Sequence, residues 1–528
     1  MDHFKDIMLP WSSVHVLTSP YLWILLFLVG GAVPILYYLH QKHTYWLRRG
    51  VPFISASMLL SQFVRLMLGR IQVRTIFEEL YVSLAGHKFG GSYQMTRPTL
   101  ILRDPELIRS CLINNFSCFH DHQGVAPCPK VDPLSHNLYQ LTGEQWHQVR
   151  QKVAQAFSSA KLRLMYQTLQ GCAERLDAHI LRLCSEGEKE EIELCAKELM
   201  ANFSMEIIAA SALGIKSDAI QDPKDELKRM MDRAMVFSWS RFFGMLVQLA
   251  SPRLVELLGL RSAEKEVEEF FERIIRDTVQ MKSTTEGETR KDFLQILVNL
   301  RHAEQNNPQT AAEASVITDD VMMGVVSAFL AVGYDAVAVV FAFCLLEVAD
   351  HPDVQDKMFQ ELQSLKTPAT VQLPYDQLKN LQYMEQVISE TLRKYPVTVV
   401  LGRRCTEPFR IPGTSVLVEE GVDCFIPILS LHHDPKYFPN PEVFDPDRFS
   451  DENLHNIVPG SYLPFGDGPR ACVAYRLVIL YMKTMLMTMV SNYTIHRCSR
   501  TPKELEYDGG RFFLTPKGDL WLRLRRRK

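Results

Sequence analysis

From Val321 to Ala349 the chain reads VMMGVVSAFLAVGYDAVAVVFAFCLLEVA, apolar throughout apart from Asp335 near its middle and Glu347 near its end. A run of that length either spans a bilayer or passes as a helix through the middle of a large folded domain. A carboxylate at the centre of a membrane is costly unless it faces a partner or a cavity. ITDD, just ahead, supplies a helix start, with Thr318 as N-cap and two acids in the first turn. Periodicity alone leaves both options open.

A second run lies near the N-terminus. Residues 21–39, YLWILLFLVGGAVPILYYL, carry no charge and suffice to cross a hydrocarbon core of about 30 Å. Lys42, Arg48 and Arg49 follow at once, whereas the residues before it hold Lys5 against Asp2 and Asp6. The positive-inside bias predicts a short lumenal segment (1–20), a transmembrane signal anchor (21–39), a basic, proline-containing hinge (40–52) and a cytosolic domain (53–528). A cleaved signal peptide fits less well, because the run lacks a basic leading region and exceeds the usual length.

A chain of 528 residues can bury a large core or a bulky cofactor. Its net charge of −3 gives no reason to expect nucleic acid as a partner. The 11 cysteines are scattered without a C-x-x-C pair. That spacing argues against a disulfide scaffold, a zinc site or covalently attached haem, and for a reducing compartment. From about residue 140 to 395 the pattern is one of successive amphipathic helices, with polar breaks at 283–292 and 301–315. YDQLKNLQYMEQVISETLRKY reads as one helix, with Leu378, Leu381, Met384, Ile388 and Leu392 on a face, and it should stop at Tyr395 before Pro396. Strand-like runs appear at PTLILRD, SVLVEEG, DCFIPI, RFFLTP and LWLRLR. The predicted fold is mainly α with small β-sheets.

PFGDGPRACVAYR, residues 464–476, holds Cys472 between a glycine-rich loop and a long apolar run. A sulfur at the start of a helix is stabilised as thiolate, the form that ligates metals. Gly466 and Gly468 allow a tight bend and close approach to a planar group, and Arg470 offers a fixed positive charge. A buried structural cysteine fits this loop as well as a functional one. Three further motifs change the balance. In SETLRKY, Glu390 and Arg393 lie three apart on one helix face; in FDPDRF, Arg448 follows a stiff turn; in EQWHQVR, Trp146 and Arg150 stand one turn apart, both able to donate toward one anion.

In these motifs, and in LGRRC, the sequence resembles the membrane-anchored cytochromes P-450, the haem-thiolate monooxygenases, and the insect microsomal members in particular. The resemblance implies the P-450 fold with an N-terminal anchor and haem b as cofactor in a catalytic domain at 53–528. By the same resemblance Cys472 is the axial thiolate, Phe465 shields its sulfur, and Trp146, Arg150, Arg403 and Arg470 bind the haem propionates. Glu390, Arg393 and Arg448 hold the scaffold on the thiolate side. Val321–Ala349 becomes the long helix across the other haem face, where the family usually shows Ala/Gly-Gly-x-Asp/Glu-Thr and this chain reads Val332, Gly333, Tyr334, Asp335, Ala336. Gly333 is then expected to leave room for dioxygen, and Asp335 to feed protons.

The chain departs from the family pattern at three places. Ala336 replaces the threonine whose hydroxyl donates toward dioxygen, and losing one such donor can cost on the order of 10²-fold in rate. Ala474 stands where glycine is usual, and Asp447 replaces a glutamate of the turn. The implied activity is insertion of one oxygen atom from O2 into a lipophilic small molecule at the endoplasmic reticulum membrane. Electrons would come from NADPH through a separate reductase, with cytochrome b5 as a further donor, because the chain has no Gly-x-Gly-x-x-Gly of its own. Lys152 and Lys161 are candidates for the docking face. Two rivals are a haem-thiolate isomerase or dehydratase acting on hydroperoxides, supported by Ala336 alone, and a catalytically weak haem-binding membrane protein. Residues 115–138 occupy the variable loop over the site; there His120 and His122 read as solvated or pocket-lining residues, since nothing completes a metal set. The aromatic-rich 235–250 stands where the family has its access-channel helices, and it reads equally as a segment dipping into the bilayer or as an ordinary core helix.

Overall fold

The computed structural model describes residues 44–527 except 124–131, 187–189, 285–291, 307–314 and 366–372, all but Ser238, Phe243, Gly244 and Val247 of 237–251, and residues 223, 262 and 512. The expected anchor at 21–39 and most of 235–250 lie outside the described residues. In chain order, the helices that build the site are α1 (Gly143–Ala154), α2 (Ser159–Glu186), α3 (Ala196–Ile208), α4 (Glu226–Met235), α5 (Lys265–Thr284), α6 (Phe293–Gln305), α7 (Asp319–Asp350), α8 (Pro352–Leu365), α9 (Tyr375–Lys379), α10 (Gln382–Lys394) and α11 (Tyr475–Asn492).

The long apolar run is α7. Thr318 caps it, its side chain accepting from Val321 N, and Asp319 and Asp320 occupy its first turn. At about 1.5 Å per residue the helix is about 48 Å long. Its most apolar stretch is 72% buried inside the protein, packed against α3, α4, α10, α11 and the strand at Tyr493–Arg497. The question left open by periodicity is thus answered by packing: α7 is the central helix of the larger core.

The strands are β1 (Phe89–Gln94), β2 (Arg97–Leu102), β3 (Glu191–Cys195), β4 (Leu401–Arg404), β5 (Phe409–Arg410), β6 (Leu417–Val418), β7 (Asp423–Ile426), β8 (Tyr493–Arg497) and β9 (Trp521–Arg526). Four of them form a sheet in the order β1-β2-β7-β4, with β2 parallel to β7 and the other pairs antiparallel. A second, antiparallel sheet runs β3-β9-β8, and β5 pairs with β6. The first sheet carries the smaller core. Its register sets Arg403 opposite Cys424, so a central pairing position holds an arginine at the site.

Three expectations change. YDQLKNLQYMEQVISETLRKY is two helices, because both chain ends at the break are capped from elsewhere. Glu361 of α8 accepts from Tyr383 N (2.8 Å) and Met384 N (3.0 Å), and Lys483 of α11 donates to Lys379 O at 2.8 Å. The C-terminal end is as expected, with Tyr395 as C-cap. RFFLTP forms no regular strand among the described residues: Arg511 and Pro516 make isolated bridges to Val236 and Tyr507, and Leu514 N is drawn away to Val397 O. Residues 44–52, expected as a hinge, already belong to the packed unit. Trp46 is fully buried, its Nε1 donates to Ser92 O at 2.9 Å, and its ring fills the space that a side chain at Gly91 would need.

Candidate active site

The loop ahead of α11 is shaped by its glycines. Gly466 (φ 71°) and Gly468 (φ 70°) are both left-handed, and a Cβ on Gly468 would run into the carbonyl oxygen of Leu112. Asp467 Oδ1 accepts from Gly468 N, a short 3-10 turn follows over Gly468–Arg470, and Cys472 N closes the loop on Phe465 O at 2.9 Å. Phe465 packs against the larger core. Cys472 lies just before α11, which begins at Tyr475 with Ala474 as N-cap. The expected thiolate stabilisation by a helix start is outweighed here: burial pushes the Cys472 thiol up, while the Ala474 backbone N–H and Arg150 pull it back only in part. The chain by itself favours the neutral thiol, and a bound metal cation would be what deprotonates it.

Beneath this loop, Glu390 and Arg393 have completely buried side chains and pair through two bonds, Nε to Oε2 at 2.7 Å and Nη2 to Oε1 at 2.8 Å. Arg448 Nε approaches Glu390 Oε1 at 3.4 Å, and Asp445 N donates to the same oxygen. Arg393 also donates to His432 O and Pro441 O. Glu390, Arg393 and Arg448, expected from SETLRKY and FDPDRF to hold the scaffold together, therefore do meet, with the carboxylate between the two arginines. The carboxylate of Asp447, on the turn, lies 3.4 Å from Lys357 Nζ. His432 was not anticipated. It is fully buried, its Nδ1 lies 3.1 Å from Arg393 O, and its Nε2 accepts from Leu463 N at 2.9 Å, so it ties α10 to the base of the cysteine loop.

Trp146, Arg150, Arg403 and Arg470, expected at the haem propionates, lie near one another with different duties. Arg470 is buried and spends its donors on His120 O, Leu138 O, Leu141 O and Asp121 Oδ1, with its guanidinium 3.9 Å over the Trp146 ring. Burial pulls its pKa down to about 9, Asp121 opposing and Arg403 reinforcing. Arg150 donates to Ala471 O at 2.8 Å, next to Cys472. Arg403 is 1% exposed; its Nη1 touches Gly402 O and His122 Nδ1, while Nε and Nη2 are buried with no acceptor. Burial brings Arg403 down to about 10. His122 stacks on Tyr139 with ring centroids 4.1 Å apart, and its pKa is held well below the usual value by burial and the two arginines. His122 sits here as a neighbour of arginine, its Nδ1 3.1 Å from Arg403 Nη1. Neither it nor Tyr139 carries a sequence signal, because tertiary structure alone joins them.

On α7, an open face interrupts a buried helix: Val332 is 48% exposed, and Ala328 and Ala336, one turn either side, are half-buried. Gly333, expected to leave room for dioxygen, faces α3 instead. A Cβ there would lie 2.6 Å from Ile208 Cδ1, so its smallness serves helix contact. Asp335 is buried, with Oδ1 3.8 Å from Arg511 Nη1 and Oδ2 without a hydrogen-bond partner. Burial pushes it up to about 6, against Arg511 and with Asp232.

The family model for cytochrome P450 matches residues 67–523. This chain belongs to that family. It is 31% identical over 527 residues to cytochrome P450 9e2 of Blattella germanica, which covers 96% of this chain and 98% of the relative. It is 30% identical to cytochrome P450 6k1 of the same insect over 482 residues (89% and 90%) and 30% identical to cytochrome P450 6a2 of Drosophila melanogaster over 515 residues (96% and 100%). As a cytochrome P450 the protein is a monooxygenase-type oxidoreductase whose cofactor is haem b, held through a cysteine thiolate. The residues of this P450 fit that group. Two buried guanidinium nitrogens on Arg403 lack an acceptor, a costly arrangement that a propionate carboxylate would relieve.

Proposed function

We propose that this P450 is a single-pass enzyme of the endoplasmic reticulum membrane. Residues 21–39 serve as anchor and 53–528 as the cytosolic catalytic domain, which inserts one oxygen atom from O2 into a lipophilic small molecule. NADPH–cytochrome P-450 reductase supplies the electrons, with cytochrome b5 as a further donor. Haem b, when bound, supplies electron uptake and the activation of dioxygen. The residues of the chain bind and orient it: Cys472 as thiolate ligand, Phe465 over the sulfur, Arg403 on a propionate, and Arg150, Trp146 and Arg470 as the frame around the loop. Ala336 lies on the open α7 face, Gly333 lets α7 pack against Ile208 of α3, and Asp335 holds a proton at Oδ2. A carboxyl titrating near 6 is suited to passing protons at cellular pH.

The observation that carries this reading is the pair of orphaned donors on Arg403 close to the glycine-shaped loop of Cys472. Lys152 is drawn toward Glu304 at 3.0 Å, which leaves half-buried Lys161 as the more available of the two docking candidates. The test is turnover of an alkoxycoumarin panel by full-length enzyme with reductase, NADPH and O2, set against conversion of a fatty-acid hydroperoxide without NADPH. The expected result is product formation that needs NADPH and O2. Because Ala336 offers no hydroxyl, Ala336→Thr should also raise product per NADPH and lower released hydrogen peroxide. Full-rate hydroperoxide conversion without NADPH, with no NADPH-dependent product, would replace this reading with an isomerase or dehydratase.

A further inference from the structure

Asp335 is enclosed by charges from several segments of the fold. Asp232 faces it from α4, Lys197 from α3, and Asp508 and Arg511 from the C-terminal segment. Two of these segments are tied to each other and to the same turn of α7. Tyr334, next to Asp335, donates from Oη to Asp232 Oδ1 at 2.6 Å, and its carbonyl accepts from Ser204 Oγ of α3 at 2.8 Å. Val236, just past α4, makes a β-bridge with Arg511, whose Nη1 is 3.8 Å from Asp335 Oδ1. The second oxygen of Asp232 is held by Lys228 at 3.0 Å. Asp335 Oδ2 is buried and unpartnered, so nothing local fixes its proton and the surrounding charges decide it.

We propose that Arg511 and Asp232 are positioning residues for Asp335. Docking of α4 on α7 through the Asp232–Tyr334 hydrogen bond presents a negative charge to Asp335, Arg511 balances it from the C-terminal segment, and movement of either segment changes whether Asp335 holds its proton. The two effects have opposite signs: Arg511 favours the carboxylate, Asp232 the carboxylic acid. Lys197 of α3, which donates to Pro516 O and Gly518 O of the same C-terminal segment, adds a second positive charge on the side of Arg511. This inference rests on Asp335 as the proton-handling residue of the proposed function, and it makes that proton dependent on closure of the fold around it.

The test is infrared difference spectroscopy on full-length, haem-loaded enzyme, following the protonated-carboxyl band that Asp335→Asn abolishes through a pH titration. Arg511→Gln should raise its midpoint by about one pH unit, Arg511→Lys should restore it, and Asp232→Asn and Tyr334→Phe should lower it. An unmoved midpoint in both Arg511→Gln and Asp232→Asn, at unchanged haem content and thermal midpoint, overturns the proposal. If Arg511→Gln does not fold, Arg511→Lys and Asp232→Asn decide it by the same readout. Midpoints that move as stated, combined with full NADPH-coupled turnover in Asp335→Asn, support the positioning and refute the proton role of Asp335, so the two failures are separable.

Discussion

His432 makes its contribution as an uncharged residue. It joins Arg393 O to Leu463 N, so the helix bearing the Glu390–Arg393 pair and the loop bearing Cys472 share one imidazole. Burial, then His433 and Arg393, hold its pKa down to about 3 against an ordinary 6.5. A histidine neutral when folded and protonated when unfolded loses its stabilising effect as pH falls from 6.5 toward about 3. At pH 7.5, His432→Phe should cost about 2–4 kcal/mol, because a buried N–H and a carbonyl lose their partner. Denaturant melts should show the gap to wild type shrinking at pH 5; a gap that widens would contradict this account. The Glu390–Arg393 pair was legible in the sequence because its spacing is local, whereas His432 was not, because its partners lie 39 and 31 residues away in the chain. Gly333 shows the opposite error: its small size was readable, but its use was to admit Ile208.

At the level of elements, the break between α9 and α10 shows how a distant side chain overrides a periodic pattern. Leu378, Leu381, Met384, Ile388 and Leu392 do share burial. Two caps from α8 and α11 nevertheless make two helices more favourable than one. Glu361→Ala should therefore cost about 2 kcal/mol by leaving two N–H groups at the start of α10 unpaired. Glu361→Gln, which keeps an acceptor, should cost less; equal thermal midpoints for Ala and wild type would show that the cap does not stabilise the break. The same reasoning explains the strands. PTLILRD, SVLVEEG, DCFIPI and LWLRLR appear where expected, whereas β1, with two glycines in FGGSYQ, looks unlike a strand until Trp46 needs the room above Gly91.

Over the whole molecule, the larger core is organised by α7, and both ends of the described residues are stitched into the fold. Trp46 docks the N-terminal side onto β1, and β9 closes the sheet that holds β3. Trp46→Ala should lower stability by about 3–5 kcal/mol. Leu47→Ala, at a residue 61% exposed, should change it by less than about 0.5 kcal/mol. Equal losses in thermal melts would mean that the packed unit starts later. Everything proposed for chemistry depends on one sulfur, that of Cys472, reaching iron as thiolate. The direct measurement is the absorption spectrum of the purified, reduced enzyme under carbon monoxide. The account predicts a strongly red-shifted Soret maximum that is lost in Cys472→Ala, and a wild-type spectrum without that band, or a variant that keeps it, would contradict the assignment.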